Sequence, residues 1–520
     1  MRRPESEDLA AGTETARPAL PWVAWVAAPV FVVAAIVTLF LLIDRFGAGA
    51  PPVFGGLVFL TACAFVGLLV SALSRTRGPI DLCYYIYLAY FLLAPAAMQV
   101  ATDRFPWDPV RHTMADTVHT TWLIGLAMIG YEVGRQLHRR RPPTGSVFAT
   151  PLTPTPMLTL FALGCGLAGL LSIPLVGIDT LLGSRGELAR MQGMETRTLY
   201  QLFLTGQGLA LAGAVLILAL VYNRKLVPPE TSWLRPILLG TLLFVLPLAL
   251  FLYNPLVNAR FVVAGCLLAF FYVAFRRLFQ ATKILIVLAF PFLIFYVLPA
   301  IKLLGEAEAR ARFFEVLANR RFDYLFTVDF DTFQASANVV RFVDDRGLLG
   351  LQNLLSVPFF FVPRGLWPDK PFPSGMTVFD QLGYWYTNVS TPLFMEFYVA
   401  AGLLAVPLGM AFVGWLVSRI ERRAAFGGSS TARTGGDVLV ALIGGFTIIV
   451  MRGALGGVMA WVGPPIVAAL IALLLLARRE RNATEPEPGD IPAASRLGDR
   501  WADDAPRRHP THQGVGDRVL

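Results

Sequence analysis

The chain has 520 residues, of which 55% are aliphatic or aromatic and 15% are charged, with a mean hydropathy of +0.60. Soluble domains carry about 25% charged residues, so a string of soluble domains is excluded and a membrane-embedded chain is implied. The formal net charge of +9 sits largely in short loops between apolar runs, which points to anionic lipid and away from nucleic acid.

In chain order, residues 1–21 are polar, mixed in charge and without a cleavable signal pattern, and read as a cytoplasmic tail. Apolar runs of about 20 residues, each enough for about 30 Å of hydrocarbon, then recur. They predict about twelve spans: 22–43, 53–73, 80–100, 118–137, 157–176, 199–222, 235–252, 259–278, 282–301, 391–418, 437–455 and 460–477. The chain thus divides into nine spans within 22–301, a large external loop at 302–390, three spans within 391–477, and a Pro-, Asp- and Arg-rich disordered cytoplasmic tail at 478–520. The expected fold is an all-α polytopic membrane protein in one bundle.

Alternate loops carry Arg75/Arg77, Arg139/Arg140/Arg141, Arg224/Lys225, Arg276/Arg277/Lys283, Arg419/Arg422/Arg423 and Arg478/Arg479/Arg481. The positive-inside rule places these loops and both termini in the cytoplasm. The four cysteines, Cys63, Cys83, Cys165 and Cys266, fall inside predicted spans and read as free thiols.

Two segments are too long for simple connectors, and both fall outside. One is 177–198. The other, 302–390, runs to about ninety residues and contains an apolar stretch, Leu348–Val362, that is interrupted by Pro358. That stretch is too short to span and is expected at the membrane interface.

Candidate functional residues concentrate at this external side. Arg185, Arg260, Arg341, Arg364 and Arg452 lie there against the positive-inside trend. A guanidinium is permanently charged and binds phosphate oxygens through a two-pronged fork, so several converging arginines imply a phosphate-bearing ligand. Asp329-Phe330-Asp331 has the Asp-x-Asp form that can hold a divalent metal, or it is the acidic first turn of an exposed helix. Glu396, among aromatics at the outer entry of the tenth predicted span, is either an arginine's partner or a functional group. Trp367, Tyr384, Trp385 and Tyr386 offer flat faces for sugar rings. His112 and His119 are expected at the surface, and no histidine pair has metal-ligand spacing. No phosphate-binding Gly-rich loop of the ATPase type occurs. With arginines supplying charge, neither metal nor other cofactor is expected.

The most informative string is Pro363-Arg364-Gly365-Leu366-Trp367-Pro368-Asp369-Lys370-Pro371. Its prolines fix the backbone around Arg364, Asp369 and Lys370 and so present them rigidly. Together with Ser184-Arg185-Gly186-Glu187-Leu188, the Asn254–Arg260 hairpin and Asp329 through Arg341, this string resembles the bacterial oligosaccharide repeat-unit polymerases, the Wzy-type O-antigen and exopolysaccharide polymerases.

The resemblance implies a bundle like that of the GT-C glycosyltransferases. It implies a reaction in which a glycan leaves its polyprenyl diphosphate for a hydroxyl of another lipid-linked unit. Arg260, Arg364 and Arg341 or Arg452 are then expected to clamp the diphosphate. Asp329 or Asp331, and after them Glu396, would accept the hydroxyl proton, and Asp369 would orient Arg364 or Lys370. Partners would be polyprenyl-diphosphate-linked oligosaccharides, membrane lipids and a chain-length co-polymerase. An O-antigen ligase and a glycolipid flippase or transporter are the competing readings. The loop histidine associated with the ligases is missing, and no inverted repeat of the transporter type is visible.

Overall fold

The computed structural model describes residues 43–44, 47, 49–74, 76–137, 150–183, 188, 197–276, 279–297, 323–362, 365–386, 389–424 and 432–484. Among these there is no strand, only an isolated bridge between Pro151 and Thr434. The helices are α1 (Val53–Leu73), α2 (Pro79–Thr102), α3 (Met114–Leu137), α4 (Pro156–Val176), α5 (Arg197–Tyr222), α6 (Leu234–Leu252), α7 (Arg260–Ala274) and α8 (Phe279–Phe292). After them come α9 (Thr332–Arg346), α10 (Gln352–Ser356), α11 (Ser374–Gln381), α12 (Leu393–Ala401), α13 (Ala405–Arg423), α14 (Gly435–Arg452) and α15 (Leu455–Thr484). Residues 1–472 and 473–520 form separate units, the second beginning inside α15.

Among the described residues, seven helices are long and apolar enough to cross a membrane: α1, α2, α4, α5, α6, α14 and the Leu455–Ala477 part of α15. This is the architecture of a polytopic membrane protein. Several other predicted spans take a different form. The predicted span 118–137 is a full-length helix, α3, but is not among the seven. Span 259–278 holds the 15 residues of α7, and the described part of 282–301 is α8 continued by a wide π turn at Leu293–Val297, with 298–301 outside the described residues. Span 391–418 is two helices, because Gly402 adopts φ +80° between α12 and α13 and a left-handed residue ends a helix. Span 22–43 lies almost wholly outside the described residues. The last helix runs on to Thr484, into the segment expected to be disordered.

Close packing is set by small residues. Cβ atoms on Gly130, Gly134 and Gly414 would come within 2.4 Å of facing backbone oxygens, so α3 and α13 touch through their main chains. Gly445 does the same for α14 against Gly265 of α7, and a Cβ on Gly265 would meet the Phe446 ring. A wide π turn, Tyr87–Leu93, interrupts α2, every residue of which is buried in that stretch.

The arginines read as topology signals have a second role. Arg77 forks onto Glu132 at 2.8 and 2.9 Å and also reaches Asp81, while Arg135 bridges Asp81 and Glu421. Glu421 also accepts the Gly78 and Asp81 amides, and Tyr131 donates to Asp81. Lys283 of α8 donates to the carbonyls of Ser71, Ser74 and Arg77. Beside them Arg276 pairs with Asp437 at 2.8 Å, and the Asn223 side chain donates to Leu152 and Arg433 carbonyls. The bonds of Arg77, Arg135, Glu421 and Lys283 therefore tie the starts of α2 and α8 and the ends of α3 and α13 together. The cluster reaches deep, since Pro79 at the start of α2 packs beside Gly444, halfway along α14. Charges taken that far from water require complete pairing.

Removing one member leaves its partner buried and alone. Glu421→Ala is expected to destabilise the fold by about 3–5 kcal/mol, against about 1 kcal/mol or less for Asp345→Ala, which breaks the half-exposed Arg341–Asp345 pair. Thermal unfolding of the detergent-solubilised protein checks this, and equal losses would contradict it.

Candidate functional site

A cavity of about 200 Å³ opens at the other end of α14. Its cationic walls are Arg260, the first residue of α7, and Arg452, the last residue of α14. The hairpin before α7 fixes Arg260. Asn258 Nδ2 donates to the Leu252 carbonyl at 2.8 Å and to that of Asn254 at 3.1 Å, and Gln207 Nε2 donates to Leu252 O and Asn258 Oδ1. These bonds satisfy carbonyls freed at the end of α6. The Asn-Pro-Leu-Val-Asn string is therefore a braced turn.

The Asp-Phe-Asp string supplies the opposing groups, and its middle residue explains the arrangement. Phe330 is fully buried and stacks on Phe91 of the π turn in α2, with centroids 5.5 Å apart. Gln99 Nε2 donates to the carbonyls of Leu325 and Phe330 and holds the segment down. With the phenyl ring anchored, the two carboxylates part. Asp329, in a 3-10 turn, meets Arg260 Nη1 at 3.2 Å and accepts the Tyr324 hydroxyl at 2.6 Å. Asp331, at the N-cap of α9, accepts Arg452 Nη2 at 3.0 Å, Ser390 Oγ at 2.7 Å and Trp107 Nε1 at 2.9 Å. The exposed-helix reading fails for Asp331, which is 2% exposed at its side chain. Nor do the pair converge as metal ligands; among the described residues no cluster of acids, histidines and cysteines suits a metal.

Both oxygens of Asp331 are occupied, whereas the contacts of Asp329 all fall on Oδ2. Arg452 also donates to Val328 O at 2.7 Å and lies 4.8 Å from the Phe261 ring centroid, yet its Nε has no partner among the described residues. Among the described residues Arg260 hydrogen-bonds only through Nη1, which also donates to Tyr324. Two guanidinium groups and two carboxylates balance in formal charge, so the cavity offers directed N–H groups more than net charge. Burial, with Asp329 alongside, pushes the Tyr324 hydroxyl well above its ordinary range and keeps it a donor.

One wall is aromatic. Trp107 stacks on Tyr386 at 5.6 Å and 18°, Trp385 stands edge-on to Trp107, tilted against Tyr386 and mostly exposed, and Trp461 closes another side. The sequence reading passed over Trp107 and Trp461. Arg104-Phe-Pro-Trp-Asp-Pro, a second Trp flanked by prolines between two helices, was the signal for the first. Trp461 had none, because a Trp inside an apolar run reads as packing.

The other expected residues are scattered. Tyr384 is buried and accepts a bond from Asn338. Arg341 pairs with Asp345 on the flank of α9 and does not line the cavity. Asp369 is exposed, Trp367 is half-buried against Phe359, and Lys370 donates to the carbonyls of Phe359, Phe360 and Val362. Arg185 and Arg364 lie outside the described residues. His112 is buried against Phe105 rather than at the surface, and burial pulls its pKa down; His119 is half-buried and stands edge-on to Tyr398.

Glu396, on the nine-residue α12 outside the seven spans, does not line the cavity and pairs with no arginine among the described residues. Its Oε1 accepts both Ser374 Oγ at 2.7 Å and the Leu455 amide at 2.8 Å, the first residues of α11 and α15. Burial pushes its carboxyl up to about 7. Glu396 thus joins the helices that bring Met376 and Gly457 to the cavity.

No protein-family model matches the chain, and neither a curated protein nor a solved structure matches it.

Two predictions follow from these bonds. Asp331→Ala leaves Arg452 without its carboxylate and should cost about 3–5 kcal/mol, whereas Asp329→Ala, at a wetter pair, should cost less; thermal unfolding ranks the two, and the reverse order would contradict the geometry. For Glu396 the raised pKa means that the fold favours the protonated acid. That contribution is full below the ordinary value of 4.5 and is lost as pH rises through about 7. Glu396→Gln keeps the uncharged acceptor, so its stability relative to the parent should climb by about 3 kcal/mol between acid and mildly alkaline pH. A pH-independent difference would contradict it.

Proposed function

We propose that this protein is a membrane glycosyltransferase that joins polyprenyl-diphosphate-linked oligosaccharide repeat units on the outer face of the cytoplasmic membrane. It would extend an O-antigen or exopolysaccharide. The observation that carries this reading is the meeting of Arg260 and Arg452 in one cavity, each with N–H groups left over after pairing with aspartate. The motif resemblance supplies the class of reaction. The arrangement of about twelve spans, a GT-C-like bundle and both termini in the cytoplasm belongs to the same proposal.

In the reaction, the bond between the donor sugar's anomeric carbon and the diphosphate oxygen breaks. A hydroxyl oxygen of the acceptor forms the new bond to that carbon. Negative charge grows on the departing diphosphate, and the unpaired edges of Arg260 and Arg452 donate to it. The acceptor's proton passes to Asp329, whose Oδ1 is unengaged. Asp331 has no such freedom and serves as a positioning residue for Arg452. Trp107 and Tyr386 form a flat wall for sugar rings. Arg364, two residues before Leu366 and close in sequence to the cavity residue Pro373, remains part of the proposed clamp.

Deleting the gene and running the surface polysaccharide on a gel tests the reading. Single repeat units are the expected product, whereas full chains stranded on the carrier lipid would assign a ligase, and an unchanged ladder would reject both. In a reconstituted assay, Arg260→Ala and Arg452→Ala should each lower the polymerisation rate by about 10²–10³, and Asp329→Asn by about 10²–10⁴. Wild-type rates in both arginine variants would refute the clamp.

A further inference from the structure

From Gly347 to Val362 the chain carries no charged residue, although Arg346 precedes the stretch and Arg364 follows it. Within it α10 and the 3-10 turn Val357–Phe359 make little more than two turns of helix, far short of a span. Leu351, Leu355 and Phe359 recur every four residues and so share one face, at 57%, 68% and 50% exposure; Phe361 beyond them is equally bare. The opposite side is docked: Ser356 is buried, and Leu349 N donates to the Val399 carbonyl of α12. The Phe360 ring fills the space where a side chain at Gly463 of α15 would sit, 2.4 Å from a Cβ placed there.

We infer that residues 347–362 form a wedge immersed in the leaflet that borders the cavity, with lipid acyl chains as its partner. Two further observations support lipid over a second protein. The first is continuity. Val467, Leu470 and Ile471 lie four, seven and eight residues beyond Gly463, on the same face of a helix apolar enough to span, and all are exposed. Leu348 lies beside Gly402, next to exposed Leu403 and Leu404, so the apolar surface continues at the wedge's other end too. The second is backbone satisfaction. Main-chain carbonyls cannot enter hydrocarbon unpaired, and the end of this short helix would leave several. The Lys370 ammonium donates to the carbonyls of Phe359, Phe360 and Val362 at 3.0 Å each. Lys370 is thus a cap that allows the turn to submerge. Phe360 packs at Gly463, two residues from the cavity residue Trp461, so a lipid-borne ligand would reach the arginines alongside the wedge. The inference rests on exposed side chains and backbone bonds, and it stands whether or not the cavity transfers sugars.

The test uses the full chain in lipid nanodiscs. Cys63 is replaced by Ser, since the other three cysteines are buried. Spin labels are placed singly at Leu351→Cys, Leu355→Cys and Phe361→Cys, with exposed Asp369→Cys as the aqueous control. Collision with oxygen, which concentrates in hydrocarbon, is compared with collision with a water-soluble nickel chelate. Oxygen should dominate at the three wedge positions and nickel at Asp369, a reversal of the ratio. Nickel access at the wedge equal to that at Asp369 would overturn the inference. Labels reached by neither reagent would overturn it as well, and would assign the face to a protein partner such as a second copy.

Discussion

A carboxylate buried without donors costs several kcal/mol, and the cavity end of this bundle is organised around meeting that requirement at Asp331. Its three donors come from three separate parts of the chain: Trp107 between α2 and α3, Ser390 before α12, and Arg452 at the end of α14. Asp331 itself occupies the N-cap position of α9, which packs against α3. One side chain therefore fixes the positions of a cation, an aromatic wall and a helix start. Glu396 repeats the device by binding the first residues of α11 and α15 through one oxygen.

The two ends of α14 use charge in opposite ways. At one end Asp437 meets Arg276, and nearby Arg77, Asp81, Glu132, Arg135 and Glu421 engage one another closely. Such a cluster holds helices in register and leaves little free for a ligand. At the other end, about 22 Å away along the helix, each arginine is held by one corner only. A guanidinium anchored in this way keeps a defined direction while retaining donors. That difference separates a structural ion-pair lattice from the candidate site, although both contain the same residue types.

The sequence made the helical class legible because spanning runs need length and hydropathy alone. It also singled out Arg260, Arg452, Asp329 and Asp331, because charged residues beside apolar helix are costly and stand out. What it did not reveal was partnership. The direction of each aspartate depends on where Phe330 is buried, and that depends on a π turn in α2, which has no simple sequence signature. Arg77 and Lys283 looked like loop charges because depth is invisible in a linear chain. The break of the predicted tenth span at Gly402 came from a single backbone angle inside an apolar run. His112 was misplaced for the same reason as Trp107: the short segment between α2 and α3 folds inward onto α9 through Gln334, which bonds to both the amide and the carbonyl of Trp107.

The central claim is that Arg260 and Arg452 together receive a diphosphate carried on lipid. Native mass spectrometry of the purified protein with a polyprenyl diphosphate, and with the matching polyprenyl alcohol as control, measures this without any turnover. The account predicts saturable binding of the diphosphate, weak binding of the alcohol, and loss of the preference when both arginines are replaced by glutamine. Equal binding of the two lipids, or an undiminished preference in the double variant, would contradict it.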